Sequence, residues 1–178
     1  MQAVQRKGTI MGFSELITER HSVRNYIPKK VETEKRNSIL EAGLIAPTAA
    51  NLQPVKVLVI EEETGLAKLG KAANIYGATL ALVVCADHST AWKRPFDGKQ
   101  TTDIDASIVT DHMMLKATEL GLGSVWVCYF KPDVLKSEFN IPDGLEAVNI
   151  LAVGYSDETS APAKNRKDMA EFAFFEKL

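Results

Sequence analysis

From Thr79 to Ala86 the chain reads Thr-Leu-Ala-Leu-Val-Val-Cys-Ala, an unbroken apolar run of strand length. A strand that is apolar at every position has no face to give to water, so it belongs in the middle of a sheet. The other segments must then supply flanking strands, with helices above and below. Val55–Ile60, Ser124–Phe130 and Ala147–Tyr155 read as the further strands, being rich in β-branched and aromatic residues. Helical patterns fill the intervals: Phe13–Ile17, Thr33–Ile45 with Ile39, Leu40, Gly43 and Leu44 on its inner side, Glu62–Ala73, Asp103–Leu120 and Pro132–Phe139. In Asp103–Leu120 the apolar residues Ile104, Ile108, Met113, Met114, Leu115 and Ala117 lie so widely round the cylinder that little of it is expected to face water. Asp111 and His112 interrupt that helix and read first as a satisfied structural pair. Gly121 suits a left-handed cap at its end.

The alternation of helix and strand is compatible with a doubly wound sheet. Neither Gly-x-Gly-x-x-Gly after the first strand nor Gly-x-x-x-x-Gly-Lys occurs, however, so nucleotide binding by those loops has no support. A length of 178 residues suits one domain, with residues 1–10 a flexible extension ahead of a single unit at 11–178. The formal net charge of -2, with basic residues only in short scattered clusters, argues against a nucleic-acid partner, and no stretch approaches a membrane span. Cys85 and Cys128 are the only cysteines and lie too far apart for a disulfide scaffold, which fits a reducing cytoplasm. His21, His88 and His112 show no metal-ligand spacing, and no Ser-His-Asp set is recognisable.

The stretch with the most chemistry is Glu19-Arg20-His21-Ser22-Val23-Arg24-Asn25-Tyr26. Arg20 and Arg24 share a face if the preceding helix continues; if it ends at Arg20, the chain can fold both guanidinium groups round one anion. Guanidinium forks match phosphate oxygens in pairs, with His21 and Ser22 adding shorter hydrogen bonds. A solvated helix end, with cations near its C-terminal dipole, is the other reading of the same residues.

Three further stretches accompany it in order: Ala46-Pro47-Thr48-Ala49-Ala50-Asn51-Leu52-Gln53-Pro54, Leu120-Gly121-Leu122-Gly123-Ser124-Val125-Trp126-Val127, and Leu151-Ala152-Val153-Gly154-Tyr155, with Lys164 and Arg166 beyond. Together with Arg-His-Ser-Val-Arg-Asn-Tyr, this ordered set resembles the FMN-dependent nitroreductase family from about Met11 onward. The resemblance implies an α+β sandwich, a mainly antiparallel sheet flanked by helices, assembled as an intertwined homodimer with two sites at the interface. It implies FMN as cofactor and NADH or NADPH as electron donor, with ping-pong transfer to a nitroaromatic, quinone or related acceptor. A flavin-binding redox sensor or storage protein without a dedicated substrate is the alternative. No protein residue need act as acid or base, because the flavin carries the hydride.

By the same resemblance, Arg20, His21 and Ser22 would hold the FMN phosphate and ribityl chain, and Lys164 and Arg166 would close on the phosphate. Arg24 would stand beside N1 and O2 of the ring. Pro47, Thr48 and Asn51, with Gln53 a weaker candidate, would touch the ring from the other subunit; on their own they read as a turn with a self-bonding Asn. Val127 and Cys128 fall where the family offers a backbone N–H to N5, although some relatives carry Glu at the position of Cys128, and a buried structural thiol is the plain reading. Trp92, in the irregular stretch Ala91–Thr101, would cover the open flavin face or anchor a surface loop. The aromatic tail Phe172, Phe174 and Phe175 is expected to pack on the partner.

Overall fold

The computed structural model describes residues 11–158 and 161–177, so the flexible extension expected at residues 1–10 lies outside the described residues. In chain order the elements are α1 (Phe13–Glu19), α2 (Thr33–Leu44), a 3-10 turn (Ala49–Asn51), β1 (Val55–Ile60), α3 (Glu63–Ala72), β2 (Leu80–Asp87), α4 (Thr102–Glu119), β3 (Gly123–Val127), α5 (Pro132–Phe139), β4 (Leu145–Gly154) and α6 (Met169–Phe172). The strands form one sheet in the order β1-β2-β4-β3, and every neighbouring pair is antiparallel. This is the mixed α+β sandwich, a mainly antiparallel sheet between helices.

The apolar run becomes β2, flanked by β1 and β4, and its side chains divide between two cores. Leu80, Leu82 and Val84 pack with Ile39 of α2 and Val109 and Met113 of α4. Ala81, Val83 and Cys85 pack on the opposite face with Leu69 of α3 and Leu135 of α5. Helices on both faces explain why no position of that strand can be polar. A bulge opposite Val84 and Cys85 sets Val148 out of register, since Val84 pairs with Asn149 and Cys85 with Ala147.

Three expectations change. The strand expected to reach Phe130 ends at Val127, and Phe130 instead bridges Ala73 at the end of α3. Leu44, placed on the inner side of α2 by spacing, is 78% exposed, because the helix ends there and turns away at Ile45. The long helix α4 is buried along Ala106, Val109, Met113 and Ala117, yet Ile104 is exposed and Ile108, Met114 and Leu115 are only partly covered. Its apolar girdle is thus half used within one chain. His112 bonds the carbonyl of Ile108, and Asp111 faces solvent, so they form no shared site.

Candidate functional site

The helix α1 stops at Glu19, and Arg20 turns the backbone into an extended path. Residues 22–27 then run along the sheet margin. Ser22 bridges Ser124 in parallel, the Val23 N–H donates to Ser124 O at 2.9 Å, and the Ile27 N–H donates to Tyr155 O at 2.9 Å. Val23 and Tyr26 face inward and require bare backbone beneath them: a Cβ on Gly123 would stand 2.8 Å from Val23, and one on Gly154 would stand 2.9 Å from the Tyr26 ring. The Tyr26 hydroxyl donates to Ala152 O at 3.2 Å, and burial raises its pKa above the ordinary tyrosine value. Three of the four sequence stretches therefore meet at one seam. Ser22, Arg24 and Asn25 are left facing out.

Lys164 brings in the C-terminal segment. Its ammonium donates to Ile17 O at 2.7 Å and to Arg20 O at 2.6 Å. Partial burial, with the Arg20 and Arg166 guanidinium groups nearby, holds that ammonium below the usual lysine range against the opposing pull of Glu19. Arg20 and Arg166, 146 positions apart in the chain, thus converge on a third cation. Among the described residues none of the three makes an ion pair. Crowded positive groups, with the Glu19 carboxylate nearby but paired to none of them among the described residues, are a site that an anion such as phosphate would relieve.

The other candidates divide. His21 is already engaged on both ring nitrogens, with Glu19 O at 3.0 Å and the Glu158 carboxylate at 2.9 Å. Arg24 does not share a face with Arg20, because the helix has ended; it lies 6.0 Å over the Tyr76 ring and makes only a long 3.5 Å contact with Ser22 O. Val127 closes β3 in the core, while Cys128 and Tyr129 emerge into solvent. Tyr76 was not singled out from sequence. Asn74 accepts the Tyr76 N–H at 2.9 Å in a side-chain-closed turn, and this turn follows the Ala73–Phe130 bridge, beside Arg24. The signal available was the Asn-Ile-Tyr-Gly string.

Pro47, Thr48 and Asn51 lie elsewhere. Their loop docks on the first turn of α4, where Asp105 accepts the Ala49 N–H, whereas Ser22 and Ser124 sit just beyond the far end of that helix. Roughly 20 Å of helix separates the two. One chain does not unite both halves of the expected site. A recess of about 500 Å³ opens beside the loop rather than over the cations, lined by Leu40, Leu44, Thr48, Val55, Val57 and Val109 among others. Exposed Leu44, Ile45 and Leu52 stand near it in sequence. Trp92 is partly buried, and its carbonyl accepts the Thr101 N–H at 3.1 Å, which closes the Ala91–Thr101 segment on itself.

Comparison with known proteins agrees with this fold. The model of the nitroreductase family matches residues 17–75 and 63–155. An Archaeoglobus fulgidus chain whose name couples NADH dehydrogenase with NAD(P)H nitroreductase is 30% identical over 88% of each chain. The crystal structure of a nitroreductase family protein from Clostridium difficile 630 superposes with a TM-score of 0.91 at 53% identity, covering 94% of this chain and all of that one. A second C. difficile structure, named an FMN-dependent nitroreductase, superposes with a TM-score of 0.77 at 27% identity, over 92% of this chain and 98% of its own.

Proposed function

We propose, from the premise that this chain belongs to the nitroreductase family of NAD(P)H oxidoreductases, that it is an FMN-dependent enzyme working by two-step, ping-pong transfer. The observation that carries the reading is the convergence of Arg20, Lys164 and Arg166, two of them from a segment more than a hundred residues beyond the first. Bound FMN supplies the redox chemistry, accepting a hydride equivalent from NADH or NADPH and passing it to a nitroaromatic, quinone or related acceptor.

The residues present divide the work of holding it. Arg20, Lys164 and Arg166 take the phosphate. Ser22, exposed at the seam, takes the ribityl chain, and His21, clamped between Glu19 and Glu158, fixes the backbone from which Ser22 projects. Arg24, in no ion pair among the described residues, serves the N1 and O2 edge of the ring. Val127, the last residue of β3 and opposite Ile150, and Cys128 just past it would serve the N5 side, where the strand ends.

Pro47, Thr48 and Asn51 reach the ring from a second copy of the chain, since their own copy holds them at the opposite end of α4. The uncovered apolar groups suit that homodimer: Leu44 and Ile45 by the recess, Ile104 on α4, and Phe172, Phe174 and Phe175 in the tail are all exposed. The cytoplasm is the compartment that suits two free thiols, one of them Cys85, whose pKa burial pushes up to about 11. Among the described residues no helix is long and apolar enough to cross a membrane.

Purified protein is expected to be yellow, or to become so with FMN, and to bleach anaerobically with NADH or NADPH. Steady NAD(P)H oxidation on adding an acceptor separates an enzyme from a flavin-binding sensor. A colourless protein that FMN cannot turn yellow would overturn both.

A further inference from the structure

We propose that Asp105 is a positioning residue for the flavin site, holding the Pro47–Gln53 loop and the Trp92 segment in one fixed relation. The proposal rests on the flavin reading for what the loop touches; the geometry of the anchor stands on its own.

Asp105 lies in the first turns of α4, is 1% exposed, and uses both carboxylate oxygens. Oδ1 accepts the Ala49 N–H at 2.9 Å, and Oδ2 accepts the Thr101 hydroxyl at 2.9 Å. The donors come from two different irregular segments. Ala49 opens the 3-10 turn after Pro47, and Thr101 ends the Ala91–Thr101 segment, to which it is tied through the Trp92 carbonyl. A buried carboxylate is costly unless charge-assisted hydrogen bonds compensate it; here one bond holds the Ala49 loop and the other holds Thr101, the N-cap of α4, where the Trp92 segment joins the helix.

The loop needs an outside hold. Ala50, Asn51 and Gln53 have φ of 50°, 55° and 51°, left-handed values that residues with a Cβ seldom adopt. The loop's other hydrogen bonds are internal: Asn51 N–H to Thr48 O, Leu52 N–H to Ala49 O, Gln53 N–H to the Thr48 hydroxyl, and the Gln53 amide to Asn51 O. Those fix its shape. Among the described residues, the Ala49–Asp105 bond is the one hydrogen bond that ties the loop to an element other than those it directly connects.

The test uses the full-length protein with Asp105→Ala, Asp105→Asn and Ala49→Pro. Ala49→Pro removes the donated N–H and leaves the Asp105 carboxylate in place, and Thr48, at φ −130° and ψ 158°, already has the extended backbone favoured before proline. With far-UV circular dichroism unchanged, Asp105→Ala and Ala49→Pro should each raise the FMN dissociation constant about tenfold and alter the visible circular dichroism of the bound flavin. The ratio of FMN to riboflavin affinity should stay constant, because the phosphate cations are untouched. Asp105→Asn, whose carboxamide can accept from Ala49 and donate to the Thr101 oxygen, should restore both readouts. If Asp105→Ala does not fold, Ala49→Pro decides alone. Wild-type affinity and flavin spectrum in Ala49→Pro overturn the proposal while leaving the flavin reading intact. A wild-type protein that binds no FMN overturns both.

Discussion

The Lys164 ammonium stands 2.6 Å from the carbonyl oxygen of Arg20, a contact made across 144 residues of sequence. With its second bond, to Ile17 O, it seals the C-terminal segment onto the end of α1 and delivers Arg166 to the same place. Lys164→Ala should therefore weaken FMN by about 10- to 100-fold, as expected for losing a charged hydrogen bond of ~1.5–3 kcal/mol. Riboflavin, which lacks the phosphate, should be little affected. Fluorescence titration with both ligands measures this, and equal losses for the two would assign Lys164 to the fold alone.

Arg24 offers a separate test because it lies over Tyr76 and is not among the charges that act on Lys164 beside Arg20 and Arg166. A unit charge about 4 Å from the reduced ring is worth roughly 4 kcal/mol at an effective dielectric near 20, and its exposure to water halves that or more. Half corresponds to some 40 mV for a two-electron couple, where about 30 mV equals 1.4 kcal/mol. Arg24→Ala should bind FMN and show a potential lower by up to about that amount in an anaerobic dye titration. An unchanged potential removes the assigned role.

The seam between Tyr26 and Gly154 should show up as coupling. A methyl at position 154 would meet the ring at 2.9 Å, so Gly154→Ala is expected to cost ~1–3 kcal/mol in urea unfolding. Tyr26→Leu is destabilising by itself, through lost packing and the lost bond to Ala152 O. In the double variant the clash is relieved, so the losses should fall short of their sum. Simple additivity would mean that the two residues do not press on each other.

His88 links the Ala91–Thr101 segment to the sheet. Its ring lies 2.9 Å from the Gln100 side-chain oxygen and 2.6 Å from the Glu146 carboxylate, and the Gln100 amide donates back to His88 O at 2.7 Å. Gln100 first, then Glu146, with Asp103 nearby, hold the imidazole above its ordinary value of 6.5. A raised value in the folded state means stabilisation that is complete below about pH 6.5 and lost as the pH climbs through the raised value. Amide exchange at Lys99–Thr101, corrected for intrinsic rate, should quicken over that interval. In His88→Gln the corrected rates should not change with pH; the same slope in both proteins would rule the link out.

Much of the fold was legible locally. An apolar run flags a two-sided central strand wherever the sheet lies, and β2 fell within a residue of its expected span. Periodicity likewise placed α2, α3, α4 and α5 to within about a residue at each end. Phe130 was misplaced because an aromatic, β-branched string looks the same whether it continues a ladder or leaves it to bridge a helix end. Asp105 was overlooked because an acidic residue early in a helix is ordinary. Only the loop packed above it makes the position unusual.

What the sequence determined by itself was the run of helices and strands from α1 to β4 and the cationic string Arg20 to Arg24, which depend on neighbours a few positions away. Tertiary structure alone decided that Lys164 and Arg166 return to Arg20, that His21 is taken by Glu158, that Arg24 turns toward Tyr76, and that the Pro47–Asn51 loop docks at the opposite end of α4. The reason is physical. Which side chains meet across a hundred residues is set by the strand order β1-β2-β4-β3 and by what each helix covers, and no local period carries that information.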